Sequence, residues 1–211
     1  MIVPTMNSRE ILNEILTDVN AVQNKADSIT KNLRRAAIKS KSKTSFKFLD
    51  YKSPRKNDWV ILLKSTTSYC STLTCVHYLN KMGFNCLLVS EEDRFHHFSG
   101  HFLERYNERF LHQFDLSKLD LFKHFILHNS LATIEVLNST DININRIIIK
   151  FKHGIAFGTL ESINGHEILD YRTFISNEMV LAFQKENVDS VNNIYNEFCN
   201  KHSVDKKLES F

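Results

Sequence analysis

Turn-forming and cross-linking residues are scarce in this chain. Five glycines and two prolines in 211 residues exclude collagen-like and Pro/Gly-rich low-complexity compositions and favour regular elements joined by short turns. The four cysteines, Cys70, Cys75, Cys86 and Cys199, show no framework spacing. Cys70 and Cys75 are separated by four intervening residues, a poor match to the paired ligands of a structural zinc site, so buried free thiols in a reducing compartment are expected. No apolar run reaches the roughly 18 residues that a membrane span requires. The opening MIVPTMNSRE lacks the apolar stretch of a secretory signal. These absences lead to the expectation of a cytoplasmic, soluble protein with no membrane partner, no cofactor and no metal.

What is present is a moderate apolar fraction, 42%, with sixteen Phe against one Trp, enough for a real core. The formal net charge of +3 hides an asymmetry. From Lys31 to Lys56 ten Lys or Arg face one acid, Asp50, a net of +9, so the remainder carries −6. A basic arm on a mildly acidic body suits a nucleic-acid partner, and Lys39, Lys41, Lys43, Lys47, Arg55 and Lys56 are the candidate contacts, with a solvated linker as the alternative.

Residues 8 to 37 read as one long helix. Leu12, Ile15, Val19, Val22, Ala26, Ile29, Leu33 and Ala36 recur at alternating spacings of three and four, a heptad seam, and Asn7 or Ser8 is placed to cap it. A narrow seam fits a coiled-coil partner, giving a homodimer or a complex with another protein. It equally fits packing on the chain's own C-terminal helix. Residues 38 to 58 read as a basic linker with Pro54 near its end, and residues 59 to 211 as an α+β domain. Within that domain WVILLKSTT begins the strands, YCSTLTCVHYL and FNCLLVS form a hairpin with Gly83 in its turn, and RFHHFS is a further short strand. Two helices follow, at 99 to 112 and 116 to 130. LATIEVLN, RIIIKFKHGIAFGTLES and HEILDYRTFIS are then strand-rich, with a turn at Asn164-Gly165 and a break or bulge at Gly154. EMVLAFQ and the run from Val188 to His202 close the chain as helices. Strands, two helices, strands and a final helix argue for α+β with an antiparallel sheet, packed by two central helices and a C-terminal one.

The helix at 99 to 112, FSGHFLERYNERF at its centre, draws functional attention. Phe102, Leu103, Tyr106 and Phe110 gather on one side, and His101, Arg105 and Arg109 follow at i, i+4 and i+8 along the edge of that stripe. Three groups able to carry positive charge, with no acid between them on that edge, suit a phosphate-bearing ligand. LDYRTFIS adds Arg172, Thr173 and Ser176 on a strand. The alternative is a surface helix whose Glu–Arg pairs contribute only a few tenths of a kcal/mol each.

The order of these elements and the H-x3-R-Y-x2-R pattern over roughly residues 95 to 183 resemble the RelE/BrnT-type toxin fold and its barnase-like relatives. The resemblance implies a metal-independent endoribonuclease, in which the ribose 2′-hydroxyl attacks its own phosphate. His101 would then be the acid or base, Arg105, Arg109 and Arg172 would stabilise the phosphorane charge, and Thr173 would bond a phosphate oxygen. A metal reading rests on two i, i+4 histidine pairs, His97 with His101 and His124 with His128. Ten histidines make such a pair frequent by chance, and no metal ligand is assigned. A non-enzymatic nucleic-acid-binding or oligomeric interaction module stands beside the nuclease as the second class.

Overall fold

The computed structural model describes residues 1–40, 44–66, 70–90, 94–129, 133–137 and 145–179. The fold is α+β, and the chain divides into two compact units: Met1–Gly100 with Ser162–Ile168, and His101–Glu161 with Leu169–Phe211. The expected helices beyond Met179, together with Cys199, Lys41 and Lys43, lie outside the described residues.

In the first unit α1 (Ser8–Ser40) precedes strands β1 (Thr44–Lys52), β2 (Asp58–Thr66), β3 (Cys70–Asn80), β4 (Gly83–Val89) and β5 (Arg94–Ser99). Each strand pairs antiparallel with the next, an up-and-down meander in which every connection is local. Helix α1 opens with a reciprocal capping box. Glu10 N–H donates to Asn7 Oδ1 at 3.0 Å, and Asn7 N–H donates to Glu10 Oε2 at 2.8 Å.

The heptad seam of α1 has its partner within the unit. Leu12, Ile15, Val22 and Ala26 are buried in one cluster with Trp59, Ile61, Leu63, Val76, Leu87 and Phe95, so the helix lies on its own sheet, chiefly on β2 and β3. This corrects the expectation of a coiled-coil arm. A stripe at spacings of three and four serves a sheet as well as a second helix, and fully burying each of these side chains is worth about 1.5–3 kcal/mol. The presumed linker is corrected as well. Residues 44–52 form β1, paired with β2 residue for residue, and its lysines suit a strand with one unpaired edge.

Two acids on the same helix are also buried and each accepts from polar neighbours, although Asp18 Oδ1 has no hydrogen-bond partner among the described residues. Asp18 Oδ2 accepts from Trp59 Nε1 and Asn57 Nδ2, each at 2.9 Å. Glu14 accepts a bidentate pair from Arg55 at 2.9 and 2.6 Å, and this guanidinium above all holds its carboxyl down at about 2.

The second unit takes α2 (Gly100–Tyr106) from His101 onward, continues as a π-helical turn (Asn107–Leu111), and adds α3 (Lys118–His128). Strands β6 (Thr133–Leu137), β7 (Asn145–Lys150), β8 (Gly154–Ile163) and β9 (His166–Ser176) lie in the order β6-β7-β8-β9, and a 3-10 turn (Asn177–Met179) follows. Asn164 and Gly165, with φ of 55° and 84°, form the two-residue turn of the β8–β9 hairpin. The tip of that hairpin belongs to the first unit, where Glu167 pairs with Arg94 and His166 meets Phe95 edge-on. Ser117 caps α3 by accepting from Asp120 N–H.

The core of the second unit is aromatic. Phe125 meets Phe102, Tyr106 and Phe151 edge-to-face at centroid distances of 5.3, 5.0 and 4.9 Å, and Phe102 also meets Tyr171 and Phe174. Close approach of β8 to β9 completes it. A Cβ on Gly154 would stand 2.2 Å from Ile175 O and 2.9 Å from Ser176 Cα, both backbone atoms that cannot swing aside. Gly154→Ala is therefore expected to destabilise the protein by about 2–3 kcal/mol. Urea unfolding checks this, and an unchanged midpoint would contradict the close approach.

Candidate functional site

The five expected catalytic residues do not converge. His101 is 58% exposed, and its only carboxylate neighbour among the described residues is Glu104, at 3.9 Å on the same helix. Arg105 donates to Glu108 at 2.7 Å, three residues along. Arg172 is 62% exposed and paired with Asp170 at 2.6 Å and Glu161 at 3.7 Å. Its neighbour Tyr171 is buried against Phe102 of α2, whereas Arg172 stays exposed at the strand surface. Only Arg109 and Thr173 meet, because Arg109 Nη1 donates to Phe174 O at 2.6 Å and reaches Thr173 Oγ1 at 3.3 Å. That guanidinium ties the helix end to β9, and Ser176 is buried. Of the expected nucleic-acid contacts, Lys39, Lys47 and Lys56 are exposed, whereas Arg55 serves the buried Glu14.

A different constellation forms at the other edge of the same helix. Tyr106 lies on the apolar stripe of α2 and is fully buried, yet its hydroxyl stands 3.0 Å from His124 Nδ1 and 3.0 Å from His153 Nδ1. Three elements supply these groups. His124 and His128, on α3, bring their rings to 4.4 Å by the i, i+4 spacing. His153 sits in the tight turn between β7 and β8, closed by Phe151 N–H donating to Gly154 O at 2.8 Å.

Two asparagines fix that turn and, with it, the imidazole. His153 N–H donates to Asn129 Oδ1 at 3.1 Å, which settles the orientation of the amide. Asn129 Nδ2 then faces Phe125 O at 3.0 Å and His153 Nδ1 at 3.2 Å. An amide N–H donating to Nδ1 leaves that nitrogen an acceptor and puts the ring proton of His153 on Nε2. Asn177, just past β9, donates to His153 O and to Lys152 O at 3.3 and 3.0 Å. Tyr106 O–H and the Asn129 amide then share the single Nδ1 lone pair of His153 as a three-centre contact, and His124 Nδ1–H donates to the Tyr106 oxygen.

Burial and mutual repulsion keep the imidazoles neutral. Desolvation first, then His128, His124 and Lys152, push His153 down to about 4. Desolvation likewise lowers His124, with His128 adding to it, and lowers His128, with Lys152 adding to it. Burial raises the Tyr106 phenol well above its ordinary range, so it stays a proton donor. Among the described residues no carboxylate appears with the groups that act on these three rings.

The helix end beside the cluster is irregular. His112 N–H donates to Asn107 O at 2.7 Å, a five-residue turn, and His112 takes a left-handed conformation with φ of 55°. Non-glycine residues rarely adopt that region, and π-turns recur at functional sites. Asn107 secures the turn by accepting from Gln113 N–H at 2.9 Å.

No group of three or more His, Cys, Asp or Glu is arranged to hold a metal ion among the described residues. His97 belongs to β5 and bonds Asn85 at 3.0 Å, so His97 and His101 do not share a helix face. Compared with protein-family models, curated proteins and solved structures, the chain gives no match. Sequence reasoning had the His124/His128 pair but missed Tyr106, Asn129 and His153. Tyr106 read as core, and no local signal ties a histidine before Gly154 to a helix about thirty residues upstream.

A depressed imidazole pKa fixes the sign of a pH effect. With a folded value near 4 and an unfolded value near 6.5, the contribution of His153 is complete above about pH 6.5 and is lost as pH falls toward 4. His96 on β5, held at about 4 by burial with Arg94 adding to it, acts in the same direction. Melting temperature is therefore expected to fall between pH 6.5 and 4, and His153→Asn to flatten part of that slope. A wild-type profile that is level across this range would contradict the burial of these rings.

Proposed function

We propose that the second unit is a metal-independent acid–base centre that cleaves RNA by attack of the ribose 2′-hydroxyl, with the chemistry carried by His128, His124, Tyr106 and His153. The observation that supports this reading is the hydrogen-bonded row of two neutral imidazoles joined through one tyrosine hydroxyl, with a third imidazole against it. His128 is the exposed member of the cluster and the one that meets substrate. It accepts the 2′-hydroxyl proton as the 2′ oxygen attacks phosphorus. Lys152, close enough to depress both His128 and His153, offsets charge on the phosphorane. The His128 imidazolium formed in that step then gives its proton to the leaving 5′ oxygen, so the step balances on one ring, while the row through Tyr106 holds His124 in place against His128. Arg109 keeps the helix end in place rather than touching phosphate.

A second reading has its own support. In the first unit Lys31, Arg34, Arg35, Lys39 and Lys47 are exposed, which suits sequence-independent attraction to phosphates without chemistry.

Labelled single-stranded RNA incubated with purified protein in EDTA separates the two. Cleavage by wild type, lowered about 10²- to 10⁴-fold by His128→Ala or His124→Ala and unaffected by His101→Ala, is the expected result. Salt-sensitive binding with no cleavage by wild type would reject the acid–base reading in favour of the second. Cleavage lost in His101→Ala instead would move the centre back to the exposed edge of α2.

A further inference from the structure

Phe110 stands out among the rings around the cluster because one of its faces has a partner and the residue is still partly open to solvent. Tyr106 and His153 are nearly parallel, 8° apart with centroids at 6.2 Å, and are joined edge to edge by their hydrogen bond. Phe110 lies over this flat pair, 4.0 Å from the His153 ring at 18° and 5.6 Å from the Tyr106 ring at 23°. Both ring partners are on the same side. Phe110 is nevertheless 36% exposed, and Phe114, in the turn that follows, is 83% exposed. Aromatic surface of this kind is normally withdrawn from water, and here Phe110 lies within the π-helical turn Asn107–Leu111 that the left-handed His112 ends.

The surroundings say what kind of group would meet that ring. Lys152 is exposed and acts on His128 and His153, while no carboxylate appears among the described groups acting on the three imidazoles. A planar, sequence-tolerant partner attached to negative charge fits a flat ring beside a cation, and an unpaired nucleobase on a phosphate backbone has both properties. A duplex presents no free base face and does not fit.

We propose that Phe110 is the stacking platform for an unpaired base of a single-stranded nucleic acid, with its inner face on the Tyr106–His153 pair and its outer face against the base. The proposal rests on the reading of the cluster as an RNA-cleaving centre and names its substrate class as single-stranded. It makes Phe110 a positioning residue, which sets the base so that the adjoining ribose and phosphate reach the imidazoles.

The test uses fluorescein-labelled 2′-O-methyl oligonucleotides, which cannot be cleaved by 2′-hydroxyl attack, and reads Kd by anisotropy. Probes are a base-bearing strand, an abasic strand of equal phosphate number, and a blunt duplex. Wild type is expected to prefer the base-bearing strand over both others by about tenfold or more, within the range for one stacked base. Phe110→Ala should bring that strand to the abasic level. Phe110→Trp should keep the preference, and its added indole emission should be quenched on binding. Should Phe110→Ala not fold, Phe110→Leu, which keeps apolar bulk without an aromatic face, takes its place with the same expectation. Equal affinity of wild type for base-bearing and abasic strands, no binding of any probe, or a preference that survives loss of the aromatic face would each overturn the proposal. Base preference without RNA cleavage would sink the catalytic reading alone, and cleavage without base preference would sink the stacking platform alone.

Discussion

A phenol hydroxyl enclosed by apolar rings has to find its hydrogen-bond partners inside the protein, and that requirement at Tyr106 organises the second unit. Leaving such a group unanswered costs about 1–3 kcal/mol. Phe125 and Phe174 close on the ring edge-to-face at 5.0 and 5.1 Å, which excludes water from its body. Two imidazoles from elements far apart in sequence answer its oxygen. Burial above all holds each of them neutral. A structural need and a chemical capacity coincide in one row of atoms.

Other features serve that row. The bare Cα of Gly154 lets β8 run close to β9 directly after His153, and Asn129 and Asn177 fasten the intervening turn from either side. The π-turn displaces the end of the helix so that Phe110 lies flat on His153. The first unit meets a comparable demand differently. Asp18 and Glu14 enter an apolar helix–sheet contact only because Trp59, Asn57 and Arg55 are positioned to donate to them. Both units therefore bury polar groups against partners brought from distant parts of the chain, and in the second those partners are groups able to exchange protons.

Turn chemistry and hairpins were legible from the chain itself. Asn164-Gly165 and Gly83 specify their backbone conformations locally, and Asn7 with Glu10 marks a helix start in four residues. The α1 seam was legible as a stripe but not as to what it covers, since spacing at three and four fits a helix or a sheet alike. Strand β1 was hidden by its charge: Phe46 and Phe48 alternate with Lys47 as a strand should, yet lysines on an edge strand look like those of a linker. The histidine pair of α3 followed from i, i+4 geometry. Tyr106 and His153 did not, because their meeting depends on how the β7–β8 turn packs against two helices, and nothing local encodes that. Charge counting pointed to His101 and its neighbouring arginines, whereas the fold spends those arginines on ion pairs and on a strand carbonyl.

The most direct measurement of the central claim is the titration of individual imidazoles by NMR in isotopically labelled protein. If Tyr106, His124 and His153 form one bonded row, His153 titrates at about 4, as the tautomer protonated on Nε2. His124 and His128 also titrate below the ordinary imidazole value, and the Tyr106 hydroxyl proton is slow to exchange. Three histidines titrating independently near 6.5, with His153 in the other tautomer, would contradict the cluster and remove the basis of the acid–base centre.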